Sequence, residues 1–330
     1  MILHPAVIAL LVSSFLIAAL VVVAAGYGVQ VLRHWDLRSG SSLQLALERR
    51  TYFISTVLAY VFGFQLVSLF LLIYTADNLH GLFTGAMCAA GTFNANQYGY
   101  PLLLIKTVNY LCSGLWLIVN NADNRAYDYP LIRKKYAALL VLAPFVLTEM
   151  ALQVLYFAAL NPDVITSCCG SLFSVNSASI AADIAALPAA PMRLAFAAVL
   201  LAAVSFGSVF YLTGRGGGLF SLAAGALFII SLASVLSFIS PAVYELPSHH
   251  CPFCILQKEY HSIGYLLYLL IFAGAVTGVG VGVLMPFRSI QSLAGIIPAL
   301  QKRYAMLSVL CSALLGLLTI ALLKTSNLHM

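Results

Sequence analysis

Long apolar runs, broken by short polar segments that carry arginine and lysine, recur along the whole chain. Eight of these runs reach the roughly 20 residues that a helix needs to cross the hydrocarbon core of a bilayer. They are Pro5 to Leu32, Tyr52 to Tyr74, Pro101 to Val119, Tyr136 to Leu160, Met192 to Thr213, Leu219 to Ser240, Tyr260 to Leu284, and Tyr304 to Leu323. The pattern predicts an all-α fold, a polytopic integral membrane helical bundle of about eight transmembrane helices. The first run lacks a basic leading segment and a small-residue cleavage site, and it exceeds a usual signal-peptide core, so it is read as a span.

The basic residues set the expected orientation. Twelve of the 16 Lys and Arg fall in alternate loops: Arg33, Arg38, Arg49 and Arg50; Arg125, Arg133, Lys134 and Lys135; Arg215; and Arg288, Lys302 and Arg303. Loops rich in Lys and Arg stay cytoplasmic, which puts both termini outside. The expected location is a multi-pass position in a membrane, read as the bacterial inner membrane, with the cysteine loops on the periplasmic or outer face, where paired cysteines can hold disulfides. Composition agrees: 62% of residues are hydrophobic and 8% charged, against about 25% charged in a soluble domain. The net charge of +6 is mostly this topology signal. No basic patch interleaved with aromatics points to nucleic acid, and the lipid bilayer is the first expected partner.

The polar gaps divide the chain into an N-terminal four-span half (1–160), a long loop without Lys or Arg (161–190), and a C-terminal four-span half (191–330). Chemistry concentrates on the expected outer side. Ser248 to Tyr265 reads S-H-H-C-P-F-C-I-L-Q-K-E-Y-H-S-I-G-Y. Pro252 suits a first helical position, so Cys251 and Cys254 are expected at a helix N-terminus, where unpaired N–H groups favour a thiolate. Cys251 is expected to be the more exposed sulfur and the entry point, with Cys254 resolving. A second external pair, Cys168 and Cys169, lies in the 161–190 loop; adjacent cysteines close only a strained ring, so each is expected to meet a partner elsewhere, or the two to bind a metal together. His249, His250 and His261 flank the motif, and with Cys251 and Cys254 they make a candidate copper or zinc ligand set. His80, Met87 and Cys88, in the small-residue-rich segment from Asp77 to Tyr100, are further candidate soft ligands. Cys112 and Cys311 lie inside spans and read as small apolar residues.

C-P-F-C resembles the C-x-x-C of thioredoxin-fold redox proteins, and the second external pair is similar to the relay arrangement of DsbB-like and vitamin K epoxide reductase-like membrane enzymes. The resemblance covers four residues and an arrangement. It implies thiol–disulfide exchange with Cys251, Cys254, Cys168 and Cys169 as the reacting residues, a periplasmic thiol protein as partner, and quinone as the class of cofactor. Span number and loop lengths depart from those families, so no quinone site is carried over. The alternatives are an outer-face copper or zinc site served by a metal-carrier protein, and a transporter or scaffold with structural disulfides. C-x-x-C-H haem attachment is excluded, because Ile255 stands where histidine is required.

Spans 3 and 4 carry the polar residues that cost most in lipid. Lys106, Asn109 and Ser113 share one helix face, and Glu149 with Gln153 shares another. Glu149 sits about 16 Å from the outer end of its span, near mid-membrane. A charge there must face protein or water, so Glu149 and Lys106 are candidate residues of a small-molecule, cofactor or proton site.

Overall fold

The computed structural model describes residues 3–36, 39–166 and 187–328. Among the described residues the chain is helical throughout and contains no strand. The helices are α1 (Pro5–His34), α2 (Ser42–Leu79), α3 (Ala89–Phe93), α4 (Gly99–Asp123), α5 (Ile132–Ala158), α6 (Ala189–Thr213), α7 (Gly217–Ser234), α8 (Ser240–Tyr244), α9 (Ile263–Leu284) and α10 (Ile296–Thr325). Eight helical segments are long and apolar enough to cross a membrane: α1; α2 with its 3₁₀ extension to Leu82; α4; α5; α6; the continuous rod of α7 through α8; α9 to Phe287; and α10. The chain therefore has the character of a multi-pass membrane protein, and lipid is a plausible partner.

Several helices outrun the apolar runs that announced them. α2 starts ten residues before Tyr52 and spans 38 residues, about 57 Å at 1.5 Å per residue. Its first turns persist because Gln44 and Leu47 are buried and Ser41 Oγ accepts the Gln44 N–H. The rod from Gly217 to Tyr244 carries one π-turn, Val235–Ile239. Pro241 explains it. A π-turn pairs each carbonyl with the N–H five residues on, and Ser240 N–H does reach Val235 O. The next carbonyl, Leu236 O, would need the N–H of residue 241, which proline lacks.

Two compact units are distinguished. The first comprises residues 1–75, 96–160 and 287–298. In it α5 packs on both α1 and α4. Its apolar core runs through Val21, Leu58, Phe62, Trp116, Tyr136 and Leu139, with Phe62 and Trp116 edge to face at 4.9 Å. Buried polar groups sit at two levels. Near one end of α4, Lys135 Nζ pairs with Asp123 Oδ2 at 2.7 Å while Asp123 Oδ1 accepts the Leu131 N–H, which fixes the 124–131 turn. Farther along the same helices Lys106 Nζ meets Glu149 Oε1 at 2.5 Å.

The second unit comprises residues 76–95, 161–286 and 299–330. α7 packs against α6 and α9, closely enough that a Cβ on Gly278 would strike Ala224 and one on Gly282 would strike Ser221. Such small-residue contact is how membrane helices gain packing without a hydrophobic driving force between them.

Candidate functional site

The cysteine-bearing loop of the second unit joins α8 to α9, and side chains hold its backbone at the motif. His250 Nδ1 donates to Leu236 O at 2.8 Å, so the carbonyl orphaned by Pro241 fixes the residue before the first cysteine. Tyr244 Oη donates to Cys251 O at 2.6 Å, and Tyr268 Oη donates to Pro252 O at 2.7 Å. In an α-helix those two carbonyls would accept N–H groups four residues on. With tyrosine hydroxyls occupying them, the chain instead makes two 3₁₀ turns, Cys254–Leu256 and Lys258–Tyr260. His261 and Ser262 then take left-handed backbone conformations, φ 55° each, and α9 starts at Ile263. The expectation that Cys251 and Cys254 lie at a helix N-terminus is thus overturned. So is the expected exposure of Cys251, which has none, while Cys254 is 5% exposed.

A third sulfur enters from the 76–95 segment. Gly85 adopts φ +85°, where a Cβ would meet the Thr166 carbonyl, and Thr166 N–H donates to Thr84 O at 2.9 Å. Cys88 follows, fully buried. Its Sγ lies 3.5 Å from Cys251 Sγ. Together the Sγ atoms of Cys88, Cys251 and Cys254 lie within 4.8 Å of one another, and among the described residues they form the one group of three or more His, Cys, Asp or Glu side chains arranged to hold a metal ion. Phe93 and Phe253, with ring centroids 5.7 Å apart, cover the contact between the two segments.

The hydrogen bond with Cys254 is the main reason the Cys251 thiol is pushed well above the ordinary cysteine range. Burial adds to that shift, and the hydrogen bond with Cys88 opposes it. A thiol in this position holds its proton at neutral pH unless something positive replaces it.

The histidines do not converge on the sulfurs. His250 is committed to Leu236 O, and His249 lies edge to face with the Tyr244 ring at 4.6 Å, its basicity lowered by burial and by neighbouring His250. His261 lines a separate shallow groove with Glu245, Glu259 and Tyr260. His80 Nδ1 contacts Asp77 O, and Met87 is well exposed. Cys168 and Cys169 lie outside the described residues.

In the first unit Glu149 is the hub of a buried polar set. Its carboxylate accepts from Lys106 Nζ, from Asn109 Nδ2 at 2.5 Å, and from Gln65 Nε2. Lys106 also donates to Gln153 Oε1 at 3.0 Å, and Gln153 Nε2 donates to Leu10 O at 2.8 Å.

Cys88 is the residue whose weight the sequence hid. It stands 163 positions from Cys251. The chain carries one signal for it, a lone cysteine in an apolar, glycine-rich segment next to a methionine. Scans against protein-family models, curated proteins and solved structures gave no match to this chain.

Proposed function

We propose that this protein binds a soft metal ion, Cu(I) in particular, through Cys88, Cys251 and Cys254 at the outer face of a membrane, and handles it for exchange with a metal carrier. The convergence of three buried sulfurs within 4.8 Å carries the reading. With metal–sulfur bonds of about 2.3 Å, a planar three-sulfur site spaces its sulfurs about 4.0 Å apart, so small side-chain rotations suffice. Thiolates select Cu(I), zinc or iron–sulfur clusters; zinc and clusters ask for four donors, whereas Cu(I) accepts three. Each thiolate is generated only as metal displaces a proton, which suits Cys251, whose thiol is held protonated by the Cys254 hydrogen bond and by burial. The alternating basic loops support an outer-face location in a bacterial inner membrane, with both termini outside.

The test is Cu(I) loading of the purified, reduced protein in detergent. One equivalent bound with three sulfur ligands, and loss of that spectrum in each of Cys88→Ser, Cys251→Ser and Cys254→Ser, is the expected result. Retention in all three single variants would overturn the metal reading.

One observation favours a second reading, thiol–disulfide exchange. Cys251 faces Cys88 at 3.5 Å and hydrogen-bonds Cys254, so it has two sulfurs with which to form a bond. In that chemistry two thiols give one disulfide, two protons and two electrons, the electrons passing to a quinone or a partner disulfide. Full burial and a raised pKa make Cys251 a poor first nucleophile toward an outside protein, which is why the metal reading ranks first. Non-reducing peptide mapping would favour exchange if it found a Cys88–Cys251 or Cys251–Cys254 bond whose occupancy follows the redox buffer.

A further inference from the structure

Both peptide groups beside Cys88 are held by side chains. On one side, Gln257 Nε2 donates to Met87 O at 2.6 Å. On the other, Asp77 Oδ1 accepts the Ala89 N–H at 3.1 Å. Gln257 also acts electrostatically on the Asp77 carboxylate, so the two grips are neighbours. Gln257 is placed by the motif itself, since its N–H donates to Cys254 O at 3.0 Å. Gln257, placed by Cys254, and Asp77 therefore hold the third sulfur's segment from both sides.

We infer that Asp77 and Gln257 are positioning residues that make the site a three-sulfur rather than a two-sulfur one, and so set its affinity for Cu(I). The inference rests on the metal reading above and adds to it. Without these two side chains, Cys251 and Cys254 remain as a C-x-x-C pair, which can hold Cu(I) linearly, while Cys88 is left on a segment tethered at Thr84. Outer-shell partners of metal ligands typically change affinity about 10- to 100-fold when removed.

The experiment compares Cu(I)-loaded wild type with Gln257→Leu, Asp77→Ala and Asp77→Asn. Sulfur coordination is counted by X-ray absorption, and affinity is measured by competition with a Cu(I) chelator. Gln257→Leu and Asp77→Ala are expected to fall from three sulfurs to two and to lose about 10- to 100-fold in affinity. Asp77→Asn keeps an acceptor for the Ala89 N–H and should retain three sulfurs, a rescue that a general loss of folding would not give. Adding Cys88→Ser to Gln257→Leu should cost nothing further, because that sulfur has already left the metal. Three sulfurs and unchanged affinity in both Gln257→Leu and Asp77→Ala would overturn the positioning role while leaving the metal reading intact. A wild type that binds no Cu(I) would overturn both.

Discussion

Glu149→Gln, alone and combined with Lys106→Met, is the sharpest probe of the first unit. Lys106 and Glu149 side chains are 1% and 3% exposed, so their pairing is neither hydrated nor screened. Removing the carboxylate charge leaves the Lys106 ammonium with only neutral acceptors, the new amide oxygen and Gln153 Oε1. It also turns an amide NH₂ toward Asn109 Nδ2 and Gln65 Nε2, which now donate to the carboxylate. Breaking a buried pair by removing one partner costs about 3–5 kcal/mol, and that is the expected loss for the single variant. Taking away both charges leaves a neutral amide set that can re-pair, so the double variant should be more stable than the sum of the singles by about 2 kcal/mol. The assay is reversible unfolding in mixed detergent micelles, repeated at low and high salt. A coupling energy below about 0.5 kcal/mol, or one that disappears with added salt, would refute the argument, since it would mean that the pair is solvated.

Two further predictions concern the thiol site. Alkylation of Cys251 in the metal-free protein should have its midpoint above the usual cysteine range of about 8.5, and Cys254→Ala should bring it down by removing the leading cause of the shift. The sign follows for stability: above pH ~8.5 the unfolded thiol releases its proton first, so the metal-free fold should lose stability as pH rises, and equal stability across that range would refute the shift. Gly264→Ala should weaken Cu(I) binding, because its Cβ would lie 2.8 Å from Ile255 Cγ2 and 2.9 Å from Ile255 O, directly behind Cys254. Chelator competition reads that effect, and wild-type affinity would show that the loop yields freely.

Composition made the eight apolar helices legible, because the length of a span is imposed by the bilayer rather than by partners the sequence does not name. Boundaries were less legible, since Ser42 to Thr51 is helical through burial of Gln44 and Leu47 rather than through hydropathy. The meeting of Lys106 with Glu149 was foreshadowed by spacing: Lys106, Asn109 and Ser113 mark one face of α4, and Glu149 and Gln153 one face of α5. The C-P-F-C motif misleads about its backbone, because proline after cysteine looks like a helix start, whereas two tyrosines claim the carbonyls of Cys251 and Pro252. Nothing local could supply Cys88 as their partner, since that is a tertiary pairing.

Burial is what separates ligand from nucleophile at Cys251. A sulfur that begins exchange with another protein must be reached by a second sulfur and must spend time as thiolate, and both demands favour an exposed position with a lowered pKa. A ligand has the opposite requirement: its proton leaves only when the metal arrives, and a dry surround strengthens the bond by excluding competing water. Cys251 has no exposure, two sulfur neighbours, and a backbone carbonyl tied by Tyr244. The same burial limits the charge the site can bear, because three thiolates about Cu(I) would carry two net negative charges away from water.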